Sequence, residues 1–217
     1  MQTLTERVFR LSPPGGLFDE TVVRDLFEDR TEAARKVLVH RAVAAGEVIR
    51  LKRGLFLLAS GYRRTDPHPF VIAAMLHSPS HVSLETALAH HGLIPEAVYQ
   101  VGSVTSRRSR VFETPVGIFS FVRVPAKDPR AGVQALKIDE RSWAFVAGPL
   151  RAVADTVYTR KRVTWERDGA SFLTESLRIE REDLEGMSFD SLDEICGSLR
   201  DRRTVDYLRN LAREVGR

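Results

Sequence analysis

The order of local patterns between Gly15 and Gly61, "GGLFDETVVRDLFEDRTEAARKVLVHRAVAAGEVIRLKRGLFLLASG", limits the fold more than any other stretch. Asp19 is placed to cap a short helix from about Glu20 to Glu28. Val22, Val23, Leu26 and Phe27 form its apolar side, and Phe18 can staple its start. Thr31 can cap a second helix reaching about Ala45. On it Ala34, Val37 or Leu38, Ala42 and Ala45 recur at helical spacing, and Gly46 supplies the stop. Arg35, Lys36 and His40 fall largely off that stripe, and Arg30 lies just before the helix. Two short alternating runs, "EVIRL" and "GLFLLA", then meet at a turn of Lys52, Arg53 and Gly54. Helix, turn, basic helix and small basic-tipped hairpin is the order of a winged helix-turn-helix, with "LTERVFRLS" as a first helix.

In that geometry the second helix of the motif enters the major groove of DNA, and positive side chains around it hold phosphates. The expected DNA-binding set is therefore Arg30, Thr31, Arg35, Lys36, His40, Arg50, Lys52 and Arg53. Lys52 and Arg53 would reach the neighbouring backbone or minor groove from the hairpin tip. Bases are usually read from the helix start, where Thr31, Glu32, Arg35 and Lys36 are available.

Charge distribution points the same way. The net charge of +4 over 217 residues is modest, but Lys and Arg outnumber acids nine to two from Arg30 to Arg64. From Ser103 to Arg130 the ratio is six to two, and from Glu180 to Glu194 it reverses to seven acids against Arg181 alone. A localised positive segment concentrates polyanions, whereas a small helical domain needs such residues only for solubility.

"GYRRTDPHP" combines Gly61, Pro67 and Pro69 with polar residues and reads as a linker. The expected organisation is a DNA-binding domain over 1–60, a linker over 61–69 and a larger domain over 70–217. The fold class expected is α+β, the second domain being mixed, with an antiparallel strand meander and C-terminal helices. "FVIAAMLH" reads as an apolar helix. Ser83 then caps Leu84 to His91, and Gly92 ends it. "AVYQVGSVTS", "SRVFET" and "GIFSFVRVP" read as the strands of the meander. Arg107, Arg108 and Arg110 sit at its first turn as a second candidate contact surface. "WAFVAG" followed by "PLRAVADTVYT" reads as a strand running into a helix that opens on Pro149, with Asp155 as an ordering partner. Ser191 and Glu194 have capping-box spacing, and a last helix starts near Thr204.

Three of the six histidines, His81, His90 and His91, lie within eleven positions. Zinc on a helix needs ligands at i and i+4. His90 and His91 are adjacent and diverge by roughly 100°, as successive helical residues do. No metal site, cofactor site or catalytic set is expected. The competing enzyme reading places a site near His81 and Glu85, assembled across the fold. Cys196 is the only cysteine, so an internal disulfide and a thiolate cluster are excluded; it falls on an apolar stripe and reads as a buried thiol. No apolar run approaches the roughly 20 residues of a membrane span, and the N-terminus lacks a signal-like apolar core. The expectation is a cytoplasmic protein with no membrane contact.

With these segments laid out, the chain resembles the abortive-infection AbiE-type antitoxins of type IV toxin–antitoxin systems. The resemblance is carried by "VSLETALAHHGLIPEAVYQVGSVTSRRSRVFETPVGIFSF", Val82 to Phe121. It follows that family's Ser-Leu-Glu, small residues, His-Gly-Leu-Ile-Pro, Val-Thr, an Arg turn and Phe-Glu-Thr-Pro-x-Gly. "AAGEVIRLKRGLFLLAS", Ala44 to Ser60, resembles its wing. "GPLRAVAD", Gly148 to Asp155, matches a family helix start at Pro149, Ala152 and Asp155; Arg151 replaces Lys, and Leu150 stands where Glu is usual. The likeness spans roughly Asp19 to Val157. It implies a winged domain that binds inverted repeats in the promoter of its own operon and represses it. It also implies a larger domain that counteracts a nucleotidyltransferase-like toxin, with no stable complex required. The protein would act as a monomer or as a dimer formed on DNA. A winged-helix regulator with no toxin partner is the alternative.

Overall fold

Local capping rules build the first sixty residues of the computed structural model, which describes residues 3–95 and 99–215. Helix α1 (Leu4–Leu11) opens on a reciprocal cap. Thr3 Oγ1 accepts from Glu6 N, and the Glu6 carboxylate accepts from Thr3 N. After strand β1 (Leu17–Asp19), Asp19 Oδ1 accepts from Thr21 N at 2.9 Å and Val22 N at 3.1 Å, starting α2 (Glu20–Leu26). Thr31 Oγ1 accepts from Ala34 N at 3.3 Å and starts α3 (Glu32–Ala44). Gly46, at φ +72°, lets the chain turn back into β2 (Val48–Lys52) and β3 (Leu55–Leu58). The three strands form an antiparallel sheet in the order β1-β3-β2. The buried side of α3 is Val39 and Ala42, with Leu38 and Val43 partly buried against them. Of the alternatives Val37 and Leu38, Leu38 takes the buried side and Val37 is exposed; Ala45, expected on the apolar stripe, is exposed as well.

Strand β3 explains why "GLFLLA" is apolar on both alternations: all four of its residues are buried. Phe56 and Leu58 pack with Leu4, Val8, Phe18 and Val39 in a small core. Leu55 and Leu57 face the other way, into a large core shared with Leu76, Val104 and Phe119. A strand covered on both sides reads as a continuous apolar run. The segment over 61–69 is likewise tied down. Arg63 donates to Leu58 O and to Asp66, and His68 Nδ1 accepts from Phe70 N as the cap of α4 (Pro69–Leu76).

The larger part is built on a six-stranded mixed sheet. Its strands are β4 (Ser80–Val82), β5 (Gln100–Thr105), β6 (Arg110–Thr114), β7 (Gly117–Arg123), β8 (Val133–Lys137) and β9 (Trp143–Ala147). Their order is β6-β7-β5-β4-β9-β8, with β5 parallel to β7 and β4 parallel to β9. The expected antiparallel meander is therefore wrong: β7 lies between β5 and β6. The first two residues expected in its opening strand, Ala97 and Val98, lie outside the described residues. The inserted order follows from burial. Strand β7 buries Phe119 and Phe121 at 1% exposure each, whereas β6 presents Arg110, Glu113 and a 62%-exposed Val111. The apolar strand takes the interior position, and the charged strand takes the edge. Ser106 to Ser109 can reach about 13 Å when extended, enough to cross two strand spacings of about 4.8 Å.

Helices cover the sheet. α5 (Leu84–His90) packs on α6 (Pro149–Thr159), which is buried from Leu150 through Val157. Two short helices, α7 (Trp165–Asp168) and α8 (Arg181–Glu185), lead to α9 (Leu192–Ser198) and α10 (Arg202–Val215). Helix α10 buries Thr204, Tyr207, Leu208 and Leu211, and Arg203 Nη2 donates to Val157 O at the end of α6. Ser191 precedes α9 but makes no side-chain cap, contrary to the capping-box expectation: its backbone, at φ −89° and ψ 7°, is not in the extended conformation an N-cap adopts. Cys196 is buried, and burial raises its thiol pKa. The chain is thus a mixed α+β fold with an N-terminal helix-and-strand segment, a larger mixed sheet and C-terminal helices.

Candidate nucleic-acid interface

The outward face of α3 carries Ala33, Lys36, Val37, His40, Arg41 and Ala44, all exposed. Lys36 forms an i,i+4 pair with Glu32, and both side chains remain about 70% exposed (68% and 73%). Such a pair is worth little in water and can be exchanged for a phosphate. Thr31 spends its hydroxyl on the cap, and Arg30 lies close to Asp29 at 3.3 Å. Arg35 points back toward α2, donating to Phe27 O and Arg30 O. It ties down the turn between α2 and α3, adding a donor to Phe27 O, which already accepts from Arg30 N, and one to Arg30 O, so its expected role as a free contact gives way to an architectural one.

The hairpin divides its charges in the same way. Arg53 is exposed at the tip, and Arg50 lies over the Phe56 ring at 5.8 Å. Lys52 turns away from solvent: its Nζ donates to Met75 O at 3.0 Å and Leu76 O at 2.6 Å, at the last turn of α4. Its expected reach to a DNA backbone is therefore corrected, because the ammonium closes a helix C-terminus, where positive charge is favoured. Burial first, then the positive Arg110, holds its pKa below the usual lysine value.

Two grooves connect these elements. One, of about 560 Å³, lies between α3 and the hairpin and is lined by Arg24, Arg35, Lys36, Arg50 and Arg53 together with Glu20 and Glu32. A second, also about 560 Å³, is lined by Lys52, Arg53, His77, Arg107, Arg108 and Arg110. Arg53 borders both. Arg107, Arg108 and Arg110 are all exposed, and strand β6 touches β2 across the fold. The two surfaces that look separate in the sequence are thus one basic strip. His77 registers the field: burial, then the charges of Arg110, Arg107 and Lys52, keep its pKa low against the opposing effect of its bond to Arg108 O. Sequence reasoning does not place Val37, Arg41, Arg24 or His77 here. Val37 and Arg41 are recoverable from helical spacing opposite Val39 and Ala42; His77 carries no local signal.

Two histidines of the His81–His91 stretch, His81 and His91, bond into the fold. Asp155 is fully buried and accepts three bonds. Ser83 Oγ donates to Oδ2 at 2.7 Å, His81 Nε2 to Oδ2 at 3.2 Å and Arg151 Nε to Oδ1 at 3.0 Å. Burial alone raises the carboxyl pKa, but Arg151, His81 and Ser83 together bring it below the usual aspartate value. The expectation that Ser83 caps α5 is wrong, because its hydroxyl is drawn to this carboxylate. Ser83 and His81 bind the same oxygen, so the imidazole does not stand between hydroxyl and acid as a nucleophile's base must. Glu85 is bound elsewhere, to Arg160 at 2.8 Å. His91 Nε2 donates to Ala147 O at 2.8 Å, and His90 is exposed. Among the described residues no group of three or more His, Cys, Asp or Glu is arranged to hold a metal ion, and no helix is long and apolar enough to cross a membrane. No protein-family model matches the chain, and no curated protein matches it.

Proposed function

We propose that this chain is a DNA-binding antitoxin of the AbiE type, repressing its own operon and counteracting a nucleotidyltransferase-like toxin. The observation that carries the DNA-binding half is the basic strip running from α3 through Arg53 to the Arg107–Arg110 turn. The element order α1-β1-α2-α3-β2-β3, with a three-stranded sheet in the order β1-β3-β2, supports a winged helix-turn-helix at its centre. In that reading α3 lies in the major groove. Lys36, His40 and Arg41 face it, and Ala33 and Val37 are free to touch thymine methyl groups. Arg50 and Arg53 hold phosphates beside the groove, and Arg107, Arg108 and Arg110 extend the contact along the duplex. Arg35 and Lys52 support this surface from behind.

The antitoxin half rests on the Val82–Phe121 resemblance. That segment supplies three of the six strands of the large sheet, β5 to β7, with α5 in front of them. The test has two arms. Affinity for the DNA upstream of the gene, measured over a range of salt, is expected to fall steeply as salt rises. Coexpression with the neighbouring gene is expected to restore growth that the neighbour alone suppresses. Affinity independent of salt, or absent, removes the DNA-binding half; no rescue removes the antitoxin half and leaves a transcription regulator.

A further inference from the structure

A cavity between the Pro79–His81 segment, the Asp128–Arg130 loop and strand β9 takes no part in the DNA-binding reading. It measures about 400 Å³, within the range that holds a small ligand. Its rim carries two aromatic rings that the fold leaves in water, Trp143 at 55% and Phe145 at 44% exposure. They stand two residues apart on one strand and so share a side of the sheet. The exposed Arg130 guanidinium lies 5.5 Å over the Phe145 ring.

The inner end of the cavity is different. It is lined by His81 and Arg151, which are 7% and 1% exposed. Arg151 uses Nε on Asp155 and Nη1 on Ala131 O, but its buried Nη2 has no hydrogen-bond partner. Buried donors are almost always matched, so an unmatched one on a cavity-lining guanidinium asks for an acceptor. The carboxylate at the rim, Asp128, accepts from Arg130 N at 2.8 Å.

The two ends therefore suit the two halves of one molecule. Exposed rings favour a flat ring stacked against them, and two guanidinium groups favour an acidic group. We infer that this cavity binds a planar aromatic anion, its ring against Trp143 and Phe145 and its acidic group directed toward Arg151, with Arg130 closing over it. Nucleoside monophosphates and aromatic carboxylates share this chemistry.

Calorimetric titration of the full chain with AMP and with indole-3-acetate separates these sources, and adenosine and indole serve as the uncharged counterparts. Saturable binding of at least one anion is expected, at least about tenfold tighter than its neutral counterpart. Trp143→Ala, at an exposed position, is expected to weaken that binding at least about tenfold, and Arg130→Ala to weaken it less. Arg151→Met should erase the preference for the anion; if that variant does not fold, the two surface variants still decide the matter. No saturable binding of either anion, equal binding of charged and neutral forms, or binding unchanged by Trp143→Ala overturns the inference. Binding is read directly, so the result does not depend on whether the chain also binds DNA.

Discussion

The basic strip and the Asp155 cluster draw on the same residue types and use them in opposite ways. Arg53, Arg107, Arg108 and Arg110 stand in water, grouped with other positive charges and facing few acids. Arg151 sits at 1% exposure with its opposite charge, Asp155, 3.0 Å away. Accumulated like charge in water costs little, because solvent and salt screen it, and it favours binding of a polyanion whose condensed counterions it displaces. A buried charge is tolerable only when it is paired and hydrogen-bonded. Charge alone thus says nothing about role; the location of its partner does. Lys52 lies between the extremes, with its neighbours in the strip and its hydrogen bonds in the fold.

The sharpest way to break this contrast is to remove Asp155. Asp155→Ala leaves Arg151 buried without its counter-charge and frees the bonds of Ser83 and His81. The expected loss is about 3–5 kcal/mol of unfolding free energy, read from denaturant titration. An effect under about 1 kcal/mol would show that the cluster is not architectural. Acid adds a second reading. The folded-state pKa of Asp155 lies below its unfolded value, so the unfolded chain binds more protons between the two. The stability this group contributes is present above the unfolded pKa, about 3.9, and is lost as pH falls through the folded one. Asp155→Asn should therefore flatten the loss of stability below about pH 4. An unchanged acid profile would assign that loss to other carboxylates.

Lys52 tests the middle of the comparison. Lys52→Met keeps most of the side-chain volume but leaves Met75 O and Leu76 O without their donor. We expect a loss of about 1.5–3 kcal/mol, the usual range for hydrogen bonds to a charged group. The salt dependence of DNA affinity should barely move, because the ammonium already points into the fold. A salt slope reduced by about 0.9 with stability intact would return Lys52 to the phosphate-binding set.

What is legible in the sequence is local. The caps at Asp19 and Thr31, the stop at Gly46 and the helix opening on Pro149 are decided by neighbours within four residues, and each is present. Rules of the same kind misplace Ser83, because the acceptor that claims its hydroxyl lies 72 positions away on α6. The strand order of β5 to β7 fails for a related reason. Alternation identifies a strand and its faces, but not which neighbour it pairs with, and here burial of Phe119 and Phe121 decides the pairing. The candidate interface is half legible. Its residues can be identified one by one from charge and helix face, yet Arg53 and Arg107 come to one groove through the long-range approach of β2 to β6. Arg35 and Lys52 look like the rest because a lysine or arginine does not announce whether its hydrogen bonds end inside the protein.

The smallest effect on stability is expected where the effect on binding should be clearest. Arg53→Ala, Arg107→Ala and Arg108→Ala each remove a charge that the fold does not use, so the unfolding midpoint should stay where it is. Where one of these side chains neutralises a phosphate, its removal should shrink the slope of log affinity against log salt by about 0.9. If α3 and the wing alone touched DNA, Arg53→Ala would show this and the two turn variants would not. If the strip is one surface, all three behave alike, and the triple variant reduces the slope by roughly 2.7, three times the single value. Additivity is the informative part, since like charges across one groove repel each other in the free protein. Removing one relieves its neighbours, so the single-variant affinity losses should sum to slightly more than the triple variant shows. Strict additivity between Arg53→Ala and the Arg107→Ala/Arg108→Ala double variant would place Arg53 and the turn too far apart to sense each other, and would break the strip into two sites.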